Sequence, residues 1–232
     1  VLKPAFIDIS HWQVIPASLE AAAASGILGV VHKATEGATY VDPKLEARHH
    51  LADDAGLMWG VYHFMRPGSI AAQARHFLHT VEPLMDDDTL LMADHEDAGV
   101  SLDELAEFLA LVAQATGRMP ALYSGHLLKE QLAGKADARL TPFRLWIAQY
   151  ADAPVLPPGW PKYWAWQYTQ TGRVPGIEGD VDLNAYDGPA DGLIAEWSGL
   201  ADVMPPAPGA LVVDVAITAP AGVRVNVRVE EA

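Results

Sequence analysis

The chain has 232 residues, with 30 Asp+Glu against 15 Lys+Arg, a formal charge of −15. It contains no cysteine, which excludes disulfides, thiolate catalysis and Cys-ligated zinc or iron–sulfur centres. The acidic balance argues against nucleic acid or an anionic membrane as a partner held by bulk attraction.

Half of the residues are hydrophobic, enough for a sizeable core and against global disorder. The length suits one large domain, two small ones or a single α/β barrel. No apolar run approaches the ~20 residues of a membrane span. The opening segment, Val1 to Asp8, lacks the pattern of a signal peptide. A chain acting outside a cell is then expected to be mature, or exported by another route.

In chain order, Phe6–Ile9 predicts a strand and Ala17–Ala24 a short helix. Ile27–Lys33 is β-branched and mostly apolar, as expected of a strand buried on both faces. Pro43–Ala55 predicts a helix with Asp42 as N-cap and Gly56 as stop. Met58–Phe64 follows as a strand, then a helix from the cap Ser69 to about Thr80. Leu90–Asp94 predicts a strand and Ser101–Thr116 a helix, with Ser101 and Glu104 forming a capping box. Ala121–Ser124 is a strand, His126–Leu132 a short helix, and Leu145–Tyr150, Tyr163–Thr169 and Val181–Ala185 are strands.

Regular strand–helix alternation argues for a parallel α/β fold. The segment between Tyr150 and Tyr163 is Pro-rich and too short for a helical crossover. The expectation is an irregular TIM-like barrel of about eight strands, with reduced helices in its second half. A doubly wound sheet is the alternative, but no Gly-x-Gly-x-x-Gly follows the first strand. Residues 1–203 are expected to form this domain and residues 204–210 a Pro-rich linker. Residues 211–232 alternate Val with polar residues about a Pro-Ala-Gly turn, the pattern of a β-hairpin. Its Val face predicts packing on the barrel, or self-association through residues 211–229.

In a parallel barrel, functional groups gather at the C-terminal ends of strands. Those ends offer Asp8, Ser10 and Gln13; Lys33 and Glu36; Tyr62, His63 and Arg66; Asp94 and Glu96; Tyr123; Trp146, Gln149 and Tyr150; Trp164, Trp166 and Gln167; and Asp182 and Asn184. Acids interleaved with aromatics suit a carbohydrate, whose flat apolar faces stack on rings and whose hydroxyls bind carboxylates and amides. Asp94 and Glu96 stand two apart, hence on one face and about 6–7 Å apart along the strand. Two such acids repel, so one should keep a proton at neutral pH. A protonated Glu beside an ionised Asp suits glycosidic cleavage. The same spacing recurs at Asp86/Asp88, Glu178/Asp180 and Asp180/Asp182, so the pair gains its weight from its place at the end of a buried strand. About half of the strand aromatics are expected in the core. His49, His50, His76 and His79 fall on outer helices, so no metal site is expected. No phosphate loop or serine nucleophile elbow is present, and no cofactor is expected.

These segments together resemble glycoside hydrolase family 25, the Chalaropsis-type lysozymes that include phage endolysins. The matching stretches are Phe6–Gln13, Lys33–Gly37, Gly60–Phe64, Asp94–Glu96, Leu122–Ser124, Leu145–Tyr150, Trp166–Tyr168 and Gly179–Asn184, in the family's order and spacing. The resemblance spans about residues 4–198. It implies an N-acetylmuramidase that cuts the β-1,4 bond between N-acetylmuramic acid and N-acetylglucosamine of peptidoglycan, outside the cell. It further implies Glu96 as proton donor, with Asp94, Asp8 and Asp182 as supporting carboxylates. Either the substrate's 2-acetamido group attacks, oriented by Asp94, or a carboxylate such as Asp182 activates water. Tyr62, Tyr123, Trp146, Gln149, Trp166, Gln167, Lys33 and Glu36 would contact the glycan. His95 replaces the apolar residue common between the Asp and Glu, and should face away from the mouth. A chitinase-like enzyme and a catalytically silent wall-binding module are the rivals. Thr89 and Met92 break the longer acidic run that a chitinase would carry.

Overall fold

The computed structural model describes residues 3–200; the expected linker and hairpin lie outside them. Among the described residues, nine strands form one sheet. They are β1 (Phe6–Ile9), β2 (Gly29–Glu36), β3 (Tyr40–Val41), β4 (Met58–Phe64), β5 (Leu90–His95), β6 (Ala121–Ser124), β7 (Leu145–Ala148), β8 (Ala165–Gly172) and β9 (Val181–Tyr186). β1 pairs with both β2 and β9, which closes eight strands into a barrel. The short β3 turns back antiparallel on β2.

Among the described residues, six α-helices accompany the strands: α1 (Glu20–Ala24), α2 (Leu45–Asp54), α3 (Ile70–Val81), α4 (Leu102–Thr116), α5 (His126–Leu132) and α6 (Ala190–Glu196). Local chemistry sets two of their starts. The Ser69 hydroxyl accepts the Ala72 N–H ahead of α3, and Ser101 with Glu104 forms the expected capping box ahead of α4. Asp42 does not cap α2. It is buried, and its carboxylate accepts N–H groups from Lys44 and His11 instead, so the helix begins only at Leu45.

The barrel departs from an all-parallel design at one strand. β9 runs antiparallel to both β8 and β1. The reason is the connection: residues 173–180 form a loop with no helix in it, and a short connection permits only a hairpin return. β7 and β8 remain parallel although residues 149–164 also contain no helix.

Two apolar layers follow from strand alternation. Outward residues such as Ile7, Val30, Val61, Leu91 and Ile147 pack under the helices. Inward residues Phe6, Val31, Leu90, Met92, Trp146 and Trp164 fill the barrel, and Trp197 after α6 plugs it from below. The rings meet edge to face, Phe6 on Trp146 at 4.8 Å and Phe6 on Trp197 at 5.3 Å. Gly29 makes room for the plug: a Cβ there would lie 2.8 Å from the Trp197 ring. With the lower barrel packed solid, the open end is the mouth, where β9 begins and the seven mutually parallel strands of the barrel end.

Candidate active site

At this mouth lies a cavity of about 260 Å³ whose walls include Asp8, Asp94, Glu96 and Asp182. Each acid arrives by a different route. Asp8 is on β1, directly opposite Asp182 of β9 in the antiparallel register. Because β9 is reversed, Asp182 reaches the mouth from the start of its strand, not from its C-terminal end as expected. Asn184, two residues further along, therefore lies deeper. Asp94 is on β5, between Phe64 of β4 and Tyr123 of β6, and Glu96 follows the end of that strand.

Hydrogen bonds tie the floor together. Asn184 Nδ2 donates to Asp8 Oδ2 at 2.8 Å. Gln167 Nε2 donates to both Asp8 oxygens, at 3.2 and 3.1 Å. The opposite end of each amide is also engaged. Asn184 Oδ1 accepts the Trp146 indole N–H at 2.7 Å. Gln167 Oε1 accepts the hydroxyls of Tyr123 at 3.0 Å and Tyr150 at 2.8 Å. An amide whose oxygen is occupied by donors must present its NH₂ to the other side, so Asp8 faces donors only.

The carboxyl groups differ in proton affinity accordingly. Burial raises Asp8, while Asn184, Gln167 and Asp182 pull it back, leaving it at about 6. Asp182 is raised to about 8 by burial and by the charges of Asp8 and Glu96. The two are hydrogen-bonded, with the proton on Asp182. Burial, then the charges of Glu96 and Asp8, hold Asp94 well above the usual carboxylate range. Burial and the charge of Asp8 also raise Glu96, against an opposing hydrogen bond with Tyr123. Asp94 Oδ1 is buried and has no hydrogen-bond partner. Four acids facing one cation cannot all ionise at neutral pH.

That cation is Lys33, whose ammonium pairs with Glu36 and lies 4.8 Å over the Phe64 ring. Glu36 does not line the cavity. It is a rim group, bonded also to Arg66, which reaches on to Asp97 at 2.8 Å. Tyr62, Tyr123 and Gln167 do line the cavity.

Three further expected contacts fall elsewhere. Trp146 points inward but lies below the floor, fully buried. Trp166 points out of the barrel, next to Tyr163 and Tyr168, because it neighbours the inward Gln167 on its strand. The Gln149 side-chain oxygen accepts Lys129 Nζ at 2.7 Å and the Val155 N–H at 3.1 Å, which shapes the loop after β7. Conversely, Ser10, Trp12, Phe64, Met92, Tyr150 and Gln170 line the cavity without having been expected as contacts. Strand parity would have found Met92 and Phe64, which share faces with Asp94 and Tyr62. His95 points away from the mouth, donating to the Val100 carbonyl at 3.0 Å.

The model of glycosyl hydrolases family 25 matches residues 7–177. The chain belongs to this family. Among its relatives, lysozyme M1 of Streptomyces globisporus is 31% identical over 205 residues, covering 82% of this chain and 69% of that protein. The N,O-diacetylmuramidase of Chalaropsis sp. is 30% identical over 199 residues, covering 75% of this chain and 94% of that protein. The crystal structure of a bacterial lysozyme from Streptomyces coelicolor superposes with a TM-score of 0.76 at 30% identity, over 84% of this chain and 97% of that one. A family 25 lysozyme from Aspergillus fumigatus gives 0.72 at 28% identity, over 84% and 98%. The irregular barrel with a reversed last strand is thus the fold of a glycoside hydrolase family.

Proposed function

We propose that this family 25 chain is a peptidoglycan muramidase. It cuts the β-1,4 bond between N-acetylmuramic acid and N-acetylglucosamine in the bacterial wall, outside the cytoplasmic membrane. The observation that carries the reading is the cluster of four carboxyl groups with raised proton affinities in one cavity. The lysozymes and muramidases among the relatives support the choice of substrate.

In this reading Glu96 keeps its proton until the glycosidic oxygen arrives. Transfer of that proton to the leaving oxygen accompanies cleavage of its bond to the anomeric carbon. The unpartnered Asp94 Oδ1 accepts the N–H of the substrate's 2-acetamido group. The acetamido carbonyl oxygen then bonds the anomeric carbon and closes a five-membered oxazolinium ring. Water attacks that carbon, the ring opens, and the Glu96 carboxylate takes the water's proton. A water-activating role for Asp182 would need that group ionised, and its value of about 8 favours the first path. Asp8, facing amide donors, keeps a negative charge that stabilises the oxocarbenium-like transition state.

Product analysis on purified peptidoglycan tests the reading. Reducing N-acetylmuramic acid ends are expected, and Glu96→Gln should abolish them without loss of fold. Chitobiose release from chitin instead would identify a chitinase-like enzyme. Firm wall binding with no lysis would identify a silent binding module.

A further inference from the structure

Six of the seven tryptophans are buried: Trp59, Trp146, Trp160, Trp164, Trp166 and Trp197. Trp12 is 78% exposed, and it lines the same cavity as the four acids. Leaving an indole in water forfeits its burial free energy. A slack loop would let it fold down. This loop is not slack.

Its backbone is pinned by buried charged groups. Asp42 accepts the His11 N–H at 3.0 Å and contacts His11 Nδ1 at 2.9 Å. Arg48 donates to the Gln13 carbonyl at 2.8 Å. Gln13 Oε1 accepts the Ser10 N–H at 2.8 Å, and Ser10 Oγ accepts the Trp12 N–H at 3.3 Å. Val14 is bridged to Glu178. Behind the indole, the His11 ring lies 4.5 Å away, and the Tyr40 hydroxyl is 3.3 Å from His11 Nδ1. Trp12 is therefore held out at the cavity rim on a rigid, aromatic-backed support.

We propose that Trp12 is a stacking platform for an N-acetylhexosamine ring of the glycan strand, at a position beyond the bond that is cut. A pyranose offers an apolar C–H face that covers an indole, and its hydroxyls stay in water. Continuity with the acid-lined cavity selects a sugar of the same strand as occupant. Prior fixation of the loop limits the ordering cost of binding. The inference rests on the muramidase reading and extends it to a longer stretch of substrate.

Two measurements test it. The first compares Trp12→Ala and Trp12→Phe with the unmodified chain on soluble peptidoglycan strands. Trp12→Ala should raise KM roughly five- to tenfold with kcat within about twofold, and Trp12→Phe should recover most of the loss. The second is acrylamide quenching of tryptophan fluorescence, which reports on Trp12 because the other indoles are buried. A β-1,4-linked N-acetylglucosamine tetramer should protect the unmodified chain, and Trp12→Ala should lack the protected component. A KM within about twofold for Trp12→Ala, or no protection at saturating tetramer, overturns the proposal. If the unmodified chain releases no muramic acid ends, the muramidase reading fails by itself, while the quenching arm still decides whether Trp12 stacks a sugar.

Discussion

Trp146 does not touch the cavity, yet it sets the polarity of the cavity's deepest amide. Its indole N–H occupies Asn184 Oδ1 at 2.7 Å, so Asn184 Nδ2 is turned towards Asp8 at 2.8 Å. A ring in the barrel core thereby helps to decide which acid at the mouth carries negative charge.

Replacing that donor should be felt at a distance. In Trp146→Phe the amide loses its anchor and Asp8 loses an assured donor, so kcat is expected to fall roughly tenfold with KM little changed. Asn184→Leu removes the donor outright and should shift the acidic limb of the pH profile upwards, because an unsupported Asp8 holds its proton more tightly. An unchanged acidic limb in that variant would disconnect Asp8 from the rate.

The pH dependence should be bell-shaped. Activity is expected to fall as Asp8 takes up a proton below about 6, and also as Glu96, raised by burial and the charge of Asp8, loses its proton. The limbs belong to the interacting set of acids. Initial rates on cell walls at constant ionic strength check both limbs, and Asp8→Asn should remove the acidic one.

Stability should run against activity. Asp182 titrates near 3.8 when unperturbed and at about 8 in the fold. Between those values the folded state binds more protons than the unfolded one, so this group lowers stability as pH rises through the window. Asp182→Asn should therefore raise Tm at pH 7 by about 2–4 °C, the shift that about 1 kcal/mol gives in a chain of this size. The gain should vanish near pH 4, as calorimetry at the two pH values would show.

The barrel plug predicts a purely structural loss. Gly29→Ala places a methyl 2.8 Å from the Trp197 ring and 3.1 Å from the Met58 carbonyl. The backbone oxygen gives way less easily than a side chain, so a loss of about 1–3 kcal/mol is expected. Denaturant midpoints measure it. Unchanged stability would mean that the ring can move aside.

Light scattering on the full chain and on one ending at residue 204 tests self-association through residues 211–229. An oligomer for the 232-residue chain only would support self-association, and equal monomer masses would leave packing on the barrel.

Much of the barrel was legible because strand alternation and helix caps are local. Ser69, Ser101 and Glu104 act within one turn of chain, and the structure shows their bonds. The acids at 94 and 96 stood out for the same reason, since spacing by two on a strand is a local relation. The role of Asp42 is not legible locally, because its partner His11 lies far off in sequence and wins over the nearby helix terminus. The family resemblance implies groove contacts for both Trp166 and Gln167, although adjacent strand residues face opposite ways. Strand parity gives the face of Trp146 but not its depth below the floor.

Residue types at short spacings are enough for the alternation of elements, the lack of thiol chemistry and the family of the chain. Tertiary structure alone decided how Asp8 and Asp182 meet. Their pairing requires the last strand to run backwards and the barrel to close, which brings together carboxyl groups from opposite ends of the domain. Proton affinity follows from that meeting, because burial and neighbouring charge belong to the folded surroundings and not to the residue.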